Sequence, residues 1–352
     1  MYLYAFIISS PTIKAFLALI KAYLKIKFTT MKKGLLLALV AIITFSNVTN
    51  AQQKTTLSAE IYGYQRDMVY FDCIQTPLIA QEFYTNPGEE HLYSFDCDRV
   101  VCISINGRTN VILQPGDSLH VNINYEGKNV TVEYSGDERA VNNNRLMENL
   151  NNIKRNLRYK SQLLGCAALD VKPKSRIDDS RVLMEKVKAL VDRSPASQEA
   201  KNYVMALTDY DVYLSFIEYP VMYQSVRGVA IDQQEIGDYW SIMDGYVTRN
   251  DAESMNCPEY ASLLMRYCFF VKEKAAKENG EKYMIPNNLE DMYKEIASFY
   301  DGEQRDFLLY TLLCNFIRNG QDIERADALY KDYTENYNKD SYYRSILDLL
   351  LQ

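Results

Sequence analysis

Seven cysteines are the residues best able to do chemistry in this chain, and their spacing decides which chemistry is open to them. A redox dithiol needs a Cys-x-x-Cys pair, in which the second thiol resolves the mixed disulfide formed by the first. No such pair occurs. Cys97 and Cys102, the closest two, have four residues between them, and Asp96 and Asp98 flank Cys97. Negative charge beside a thiol raises its pKa and so works against reactivity. Zinc ligands also come in close pairs, which are missing here too. Cys166, Cys257, Cys268 and Cys314 fall in or near helical patterns, where cysteine ordinarily serves as a small buried hydrophobe. A bridge involving Cys73, Cys97 or Cys102 stays open, and an odd count leaves at least one thiol unpaired in a monomer.

The other titratable residues point to no reaction. His120 sits on the polar side of an alternating stretch, and His91 lies in Gly88-Glu-Glu-His-Leu; both read as incidental surface residues. Asp178-Asp179 reads as the first turn of a helix, and Glu89-Glu90 as a solvated loop. No His-Glu-x-x-His, Gly-x-Ser-x-Gly, phosphate loop or dinucleotide fingerprint is present, so no catalytic, cofactor-binding or metal-binding residue is assigned and no cofactor is expected. Twenty-nine tyrosines are the compositional oddity. Tyr203, Tyr210, Tyr213, Tyr219 and Tyr223 share one helical stretch, where they either pack helix boundaries or line a groove for a glycan or peptide.

The elements that position these residues divide at Gly136. Before it the apolar period is two. Strand-like runs begin at Leu57, Met68, Glu82, Leu92 and Val100, the last closed by the hairpin dipeptide Asn106-Gly107. From Asn110 to Gly136 the pattern reads as a three-stranded meander with turns at Pro115-Gly116 and Glu126-Gly127-Lys128. In its middle strand Leu119, Val121, Ile123 and Tyr125 take one face, and His120, Asn122 and Asn124 the other. An all-β sandwich over residues 52–136 is expected.

After Gly136 the period becomes about 3.6 and an all-helical domain over residues 137–352 is expected, making the chain α+β in two domains. Helices are predicted over Asp137–Gly165 and, after a break at Lys172-Pro173-Lys174, over Asp179–Arg193. Ser194-Pro195 opens a third, which Pro220 stops after Tyr219. Asp232–Arg249, Pro258–Glu278, Asn288–Tyr300, Glu303–Arg318, Ile323–Tyr337 and Ser341–Leu351 follow. Phe307 to Ile317 is apolar nearly all round and belongs at the centre of the helices.

Met31-Lys-Lys, an apolar run from Gly34 to Phe45, and Thr49-Asn-Ala compose a secretory signal over residues 31–51, which predicts a mature start at Gln52 and an extracytoplasmic, periplasmic location. Residues 1–30 read as an over-extended translation start. The first 51 residues hold six lysines and no acid, so the remainder carries 33 basic against 46 acidic residues, a net charge of −13. Nucleic acid is a poor partner for such a chain, and no stable membrane insertion is expected after signal cleavage.

Gln114-Pro-Gly-Asp-Ser-Leu-His-Val, then Val132-Glu-Tyr-Ser-Gly, then Glu138-Arg-Ala-Val-Asn-Asn resembles the N-terminal region of extracytoplasmic thiol-disulfide oxidoreductases of the TlpA/ResA type. The resemblance implies a β-sandwich and a helical segment followed by a thioredoxin domain, whereas this sequence stops at Gln352, about where that domain would begin. The expectation is therefore an exported, non-enzymatic binding or positioning module. The alternatives are the non-catalytic half of a split oxidoreductase, partnered by a thioredoxin-like domain, and a periplasmic glycan- or peptide-binding protein.

Overall fold

The computed structural model describes residues 54–75, 80–84, 88–127, 129–161, 171–320, 323–338 and 340–352; the leader reading, Cys166 and the end of the first expected helix lie outside these. Among the described residues eight strands come first, several of them with the period-two burial that their sequences predict. They are β1 (Thr55–Tyr62), β2 (Met68–Cys73), β3 (Gln81–Tyr84), β4 (Glu90–Phe95), β5 (Val101–Ile105), β6 (Thr109–Leu113), β7 (Ser118–Glu126) and β8 (Asn129–Gly136). They form two four-stranded sheets, ordered β4-β1-β7-β8 and β3-β2-β5-β6. Inward residues of both sheets, among them Leu57, Ile61, Phe71, Ile103, Leu113, Val121 and Ile123, share one apolar cluster.

The expected three-stranded meander is not one. β7 and β8 pair as a hairpin, but β6 pairs with β5 in the other sheet, and β7 instead lies parallel to β1. Pro115-Gly116 therefore carries the chain from sheet to sheet. Proline at the second position and a glycine of positive φ at the third suit a type II turn, with Gly116 at φ 79° and Asp117 N–H donating to the Gln114 carbonyl at 3.0 Å. Alternation fixes which residues face inward, but it says nothing about which sheet a strand joins.

Eight α-helices follow: α1 (Glu138–Asn156), α2 (Pro173–Arg193), α3 (Gln198–Arg227), α4 (Pro258–Glu278), α5 (Leu289–Phe299), α6 (Gly302–Arg318), α7 (Ile323–Asp332) and α8 (Ser341–Leu350). The central placement of α6 is as expected, with every residue from Asp306 to Cys314 buried. Four expectations fail. α2 starts at Pro173, not Asp179, because proline suits the first helical position, where its missing N–H leaves no bond unmade. The N-cap of α3 is Ser197, whose Oγ accepts from Ala200 N–H at 3.2 Å, and not Ser194. The same helix runs through Pro220 to Arg227, and in the turn before the proline Tyr239 donates to the Ile217 carbonyl at 2.7 Å. Asp232–Arg249 is not a helix but an irregular run with two short 3-10 turns, in which Glu235, Gly237 and Gly245 take positive φ. Among the described residues no helix is long and apolar enough to cross a membrane.

Strands and helices from Gln53 to Gln352 form one unit, because the outer side of the β5–β6 pair is covered by helices. Val100, Cys102 and Ile112 belong to the helical core, whereas Val101, Ile103 and Val111 belong to the core between the sheets. The seam is made with carboxamides. Asn144 of α1 places its Oδ1 2.9 Å from Ile112 N and its Nδ2 2.8 Å from Ile112 O, so it takes the place of a neighbouring strand on the edge strand β6. Gln75 accepts from Cys102 N–H at 2.9 Å and donates to Tyr203 OH at 3.2 Å, and Asn256 donates to the Val100 carbonyl at 2.6 Å.

Truncating Asn144 strands a buried N–H and a buried carbonyl. Asn144→Ala is expected to lower the unfolding free energy by about 3 kcal/mol in urea titrations, since each unsatisfied buried group costs about 1–3 kcal/mol. Asn151→Ala, on the exposed side of the same helix, should stay within about 0.5 kcal/mol of the natural chain. Equal effects would contradict the seam's role.

Candidate functional site

The thiols are placed for packing. Cys102, Cys257, Cys268 and Cys314 are buried and form no disulfide. Burial pushes the Cys102 and Cys257 thiols well above their ordinary value, and it pushes those of Cys268 and Cys314 up to about 12. Cys97 is buried beside Thr55, its Sγ 3.2 Å from the hydroxyl, and it too is raised, first by burial and then by Asp98, Asp117 and Asp96. Cys73 and Cys97 belong to the core between the sheets, whereas Cys102 belongs to the helical core.

His91 is not a surface residue. It is an inward position of β4, 5% exposed and 5.2 Å from the Phe83 ring, because β4 begins at Glu90, one residue before it, and alternation turns it inward. His120 is half-exposed on the outer side of β7, as its alternation predicts. Its Nδ1 lies 2.8 Å from Ser58 Oγ and 3.4 Å from Glu90 Oε1. A serine relay needs hydroxyl and carboxylate on opposite ring nitrogens. Here both approach the same one, so the group is a cross-strand polar contact. Asp178, in the second turn of α2, is held below the usual carboxylate range by the hydrogen bond from Lys174, with Arg181 assisting.

The helical tyrosines are mostly core. Tyr203 and Tyr219 are fully buried, and Tyr210, Tyr213 and Tyr223 are half-buried. Tyr159 donates to the Asp211 carbonyl at 2.7 Å under the Arg176 guanidinium, 3.8 Å above its ring, and the Lys154–Asp211 ion pair is buried beside them. Glu259, close to this pair, hydrogen-bonds the Cys257 thiol at 3.5 Å, and burial raises its carboxyl.

One open site that the sequence did not announce is a cleft of about 260 Å³ between α1 and the end of α2. Asn142, Arg145, Leu146 and Asn149 form its first wall, at i, i+3, i+4 and i+7 on one face of α1. Leu190, Arg193, Ser194 and Pro195 form the second. Both walls are anchored by the seam. Asn144 fixes α1 to β6, and Asn143 Oδ1 accepts from Ser197 N–H at 2.9 Å, which ties the segment between α2 and α3 to α1. Arg193 Nε donates to the Ala189 carbonyl at 3.0 Å, orienting its guanidinium. The stripe was present in the sequence next to the Asn142–Asn144 run, but its partner wall comes from tertiary packing. Among the described residues no group of three or more His, Cys, Asp or Glu is placed to hold a metal ion.

Comparison of the chain with protein families, with curated proteins and with solved structures gave no match.

Two outcomes check this account. In insulin reduction assays the purified chain should be no faster than a free-thiol control, since burial favours the protonated thiol at Cys97, Cys102, Cys257, Cys268 and Cys314; turnover lost on Cys102→Ser or Cys257→Ser would refute it. For Glu259, the raised folded value means that ionisation costs stability as pH rises above the ordinary 4.5. The neutral Glu259→Gln should therefore match the natural chain in thermal midpoint near that pH and gain on it as pH climbs to neutrality. A difference that does not change with pH would show the carboxyl to be unperturbed.

Proposed function

We propose that this chain is an exported, non-enzymatic binding module whose ligand sits in the α1–α2 cleft. In this reading the two sheets form a sandwich domain over residues 52–136 that acts as a platform, and the helices of residues 137–352 carry the site. The observation that carries it is the cleft itself: five polar residues line it together with Leu146, Leu190 and Pro195, one wall is hydrogen-bonded to a sheet edge, and the segment after the other is hydrogen-bonded to the first. Buried thiols with raised pKa values favour binding over thiol exchange.

The resemblance to the N-terminal part of TlpA/ResA-type oxidoreductases belongs to the same proposal. Its motif residues have structural work here. Asp117, fully buried, accepts from Gln114 N–H at 2.7 Å and from Arg139 Nε at 2.8 Å, and Arg139 also reaches the Pro115 carbonyl at 3.0 Å. Gln114 Nε2 donates to Ser197 Oγ at 2.8 Å. These contacts lock the sheet-to-sheet turn to α1 and to the start of α3, a platform role compatible with positioning a neighbouring domain.

The test is a ligand-observed NMR screen of small charged and neutral compounds against the chain and against Asn149→Trp, which fills the cleft from an exposed helix position. Saturable binders lost in the variant are expected. Binders indifferent to Asn149→Trp, or none at all, would rule the cleft out as the ligand site.

A further inference from the structure

We infer that the cleft takes a small organic oxyanion, a carboxylate or phosphate ester on an apolar body; this deepens the binding reading and rests on it. The first ground is charge. In a chain with net charge −7, eight residues line the cleft and none is acidic, while two are arginines on opposite walls. Arg145 has neither a hydrogen bond nor an ion pair within the described residues, whereas other arginines of the chain meet a carboxylate, as Arg99 does Asp98, Arg139 Asp117, Arg249 Asp209 and Arg266 Glu218. Arg193, on the other wall, uses its Nε on its own helix and forms no ion pair within the described residues. A guanidinium presents paired N–H donors that match the two oxygens of a carboxylate or phosphate, and two of them from different walls can hold one such group.

The second ground is the remaining lining. Leu146, Leu190 and Pro195 give the cleft an apolar side that inorganic phosphate would leave unused, and Asn142 and Asn149 add neutral donors and acceptors along α1. The volume, about 260 Å³, lies just below the usual range for small-molecule sites, so the occupant is a compact anion or the anionic end of a longer molecule.

Isothermal titration of the full chain with benzoate, phenyl phosphate, inorganic phosphate and the neutral benzamide tests this. Benzoate, phenyl phosphate or both should bind saturably, more tightly than benzamide or inorganic phosphate, and more weakly as salt is added. Which of the two binds identifies the headgroup. Arg145→Gln and Arg193→Gln should each weaken the bound anion by about tenfold while keeping the natural thermal midpoint, and Arg181→Gln, away from the cleft, should bind as the natural chain does. Benzamide binding as well as benzoate, inorganic phosphate binding as well as phenyl phosphate, or arginine variants with natural affinity would overturn the inference. If neutral compounds bind and are blocked by Asn149→Trp while the anions do not, the oxyanion assignment falls and the binding module stands. If nothing of either charge binds, both fall.

Discussion

The side-chain amide of Asn144 is the interaction on which the rest of this structure leans. β6 is the last strand of its sheet, and an open strand edge must be paired, covered or wetted. Asn144 supplies both a donor and an acceptor to the same residue, Ile112, from inside a helix. A charged side chain there would have to be desolvated, and an aliphatic one would leave the edge unbonded. The same logic recurs along the seam at Gln75, Gln114, Asn143 and Asn256, each joining sheet to helix or helix to helix with a neutral amide. Because α1 is held in this way, Asn142, two residues before, and Arg145, one residue after, stand on the cleft wall.

Local pattern carried much of the fold. The inward set of β7, the extent of α4, the cap of α5 at Asn288 and the buried run of α6 all follow from period, proline and capping residues visible in the sequence. What failed was settled at a distance. The sequence reads Pro220 as a stop, yet the helix continues to Arg227, packed under Tyr239 and Gln234, which donate to the Ile217 and Pro220 carbonyls. Ser194 and Ser197 are equally good caps by type, and Asn143, from another helix, holds the chain at the second. His91 looked like a loop residue because glutamates precede it, and a strand starting at Glu90 turned it inward.

The candidate site was less legible than the fold for the same reason. A polar stripe on a helix ordinarily faces water, and Asn142, Arg145 and Asn149 give no sign of doing otherwise until Arg193 is brought opposite. The cysteines show the converse. Their placement in apolar periodicity was readable, and desolvation of the thiol follows from it directly.

The parallel pairing of β1 with β7 sets an order of events in folding. Ser58 and His120 lie side by side in the sheet but 62 residues apart in the chain, and β1's other neighbour, β4, supplies only one of its two edges. A chain emerging from its N-terminus therefore presents Leu57, Ala59 and Ile61 well before the strand that completes their sheet exists. Pairings of such long range close slowly, because loop entropy is lost before contacts repay it. The interval in which this apolar strand waits for β7 is the stage at which the nascent protein is most exposed to aggregation and most suited to capture by a chaperone.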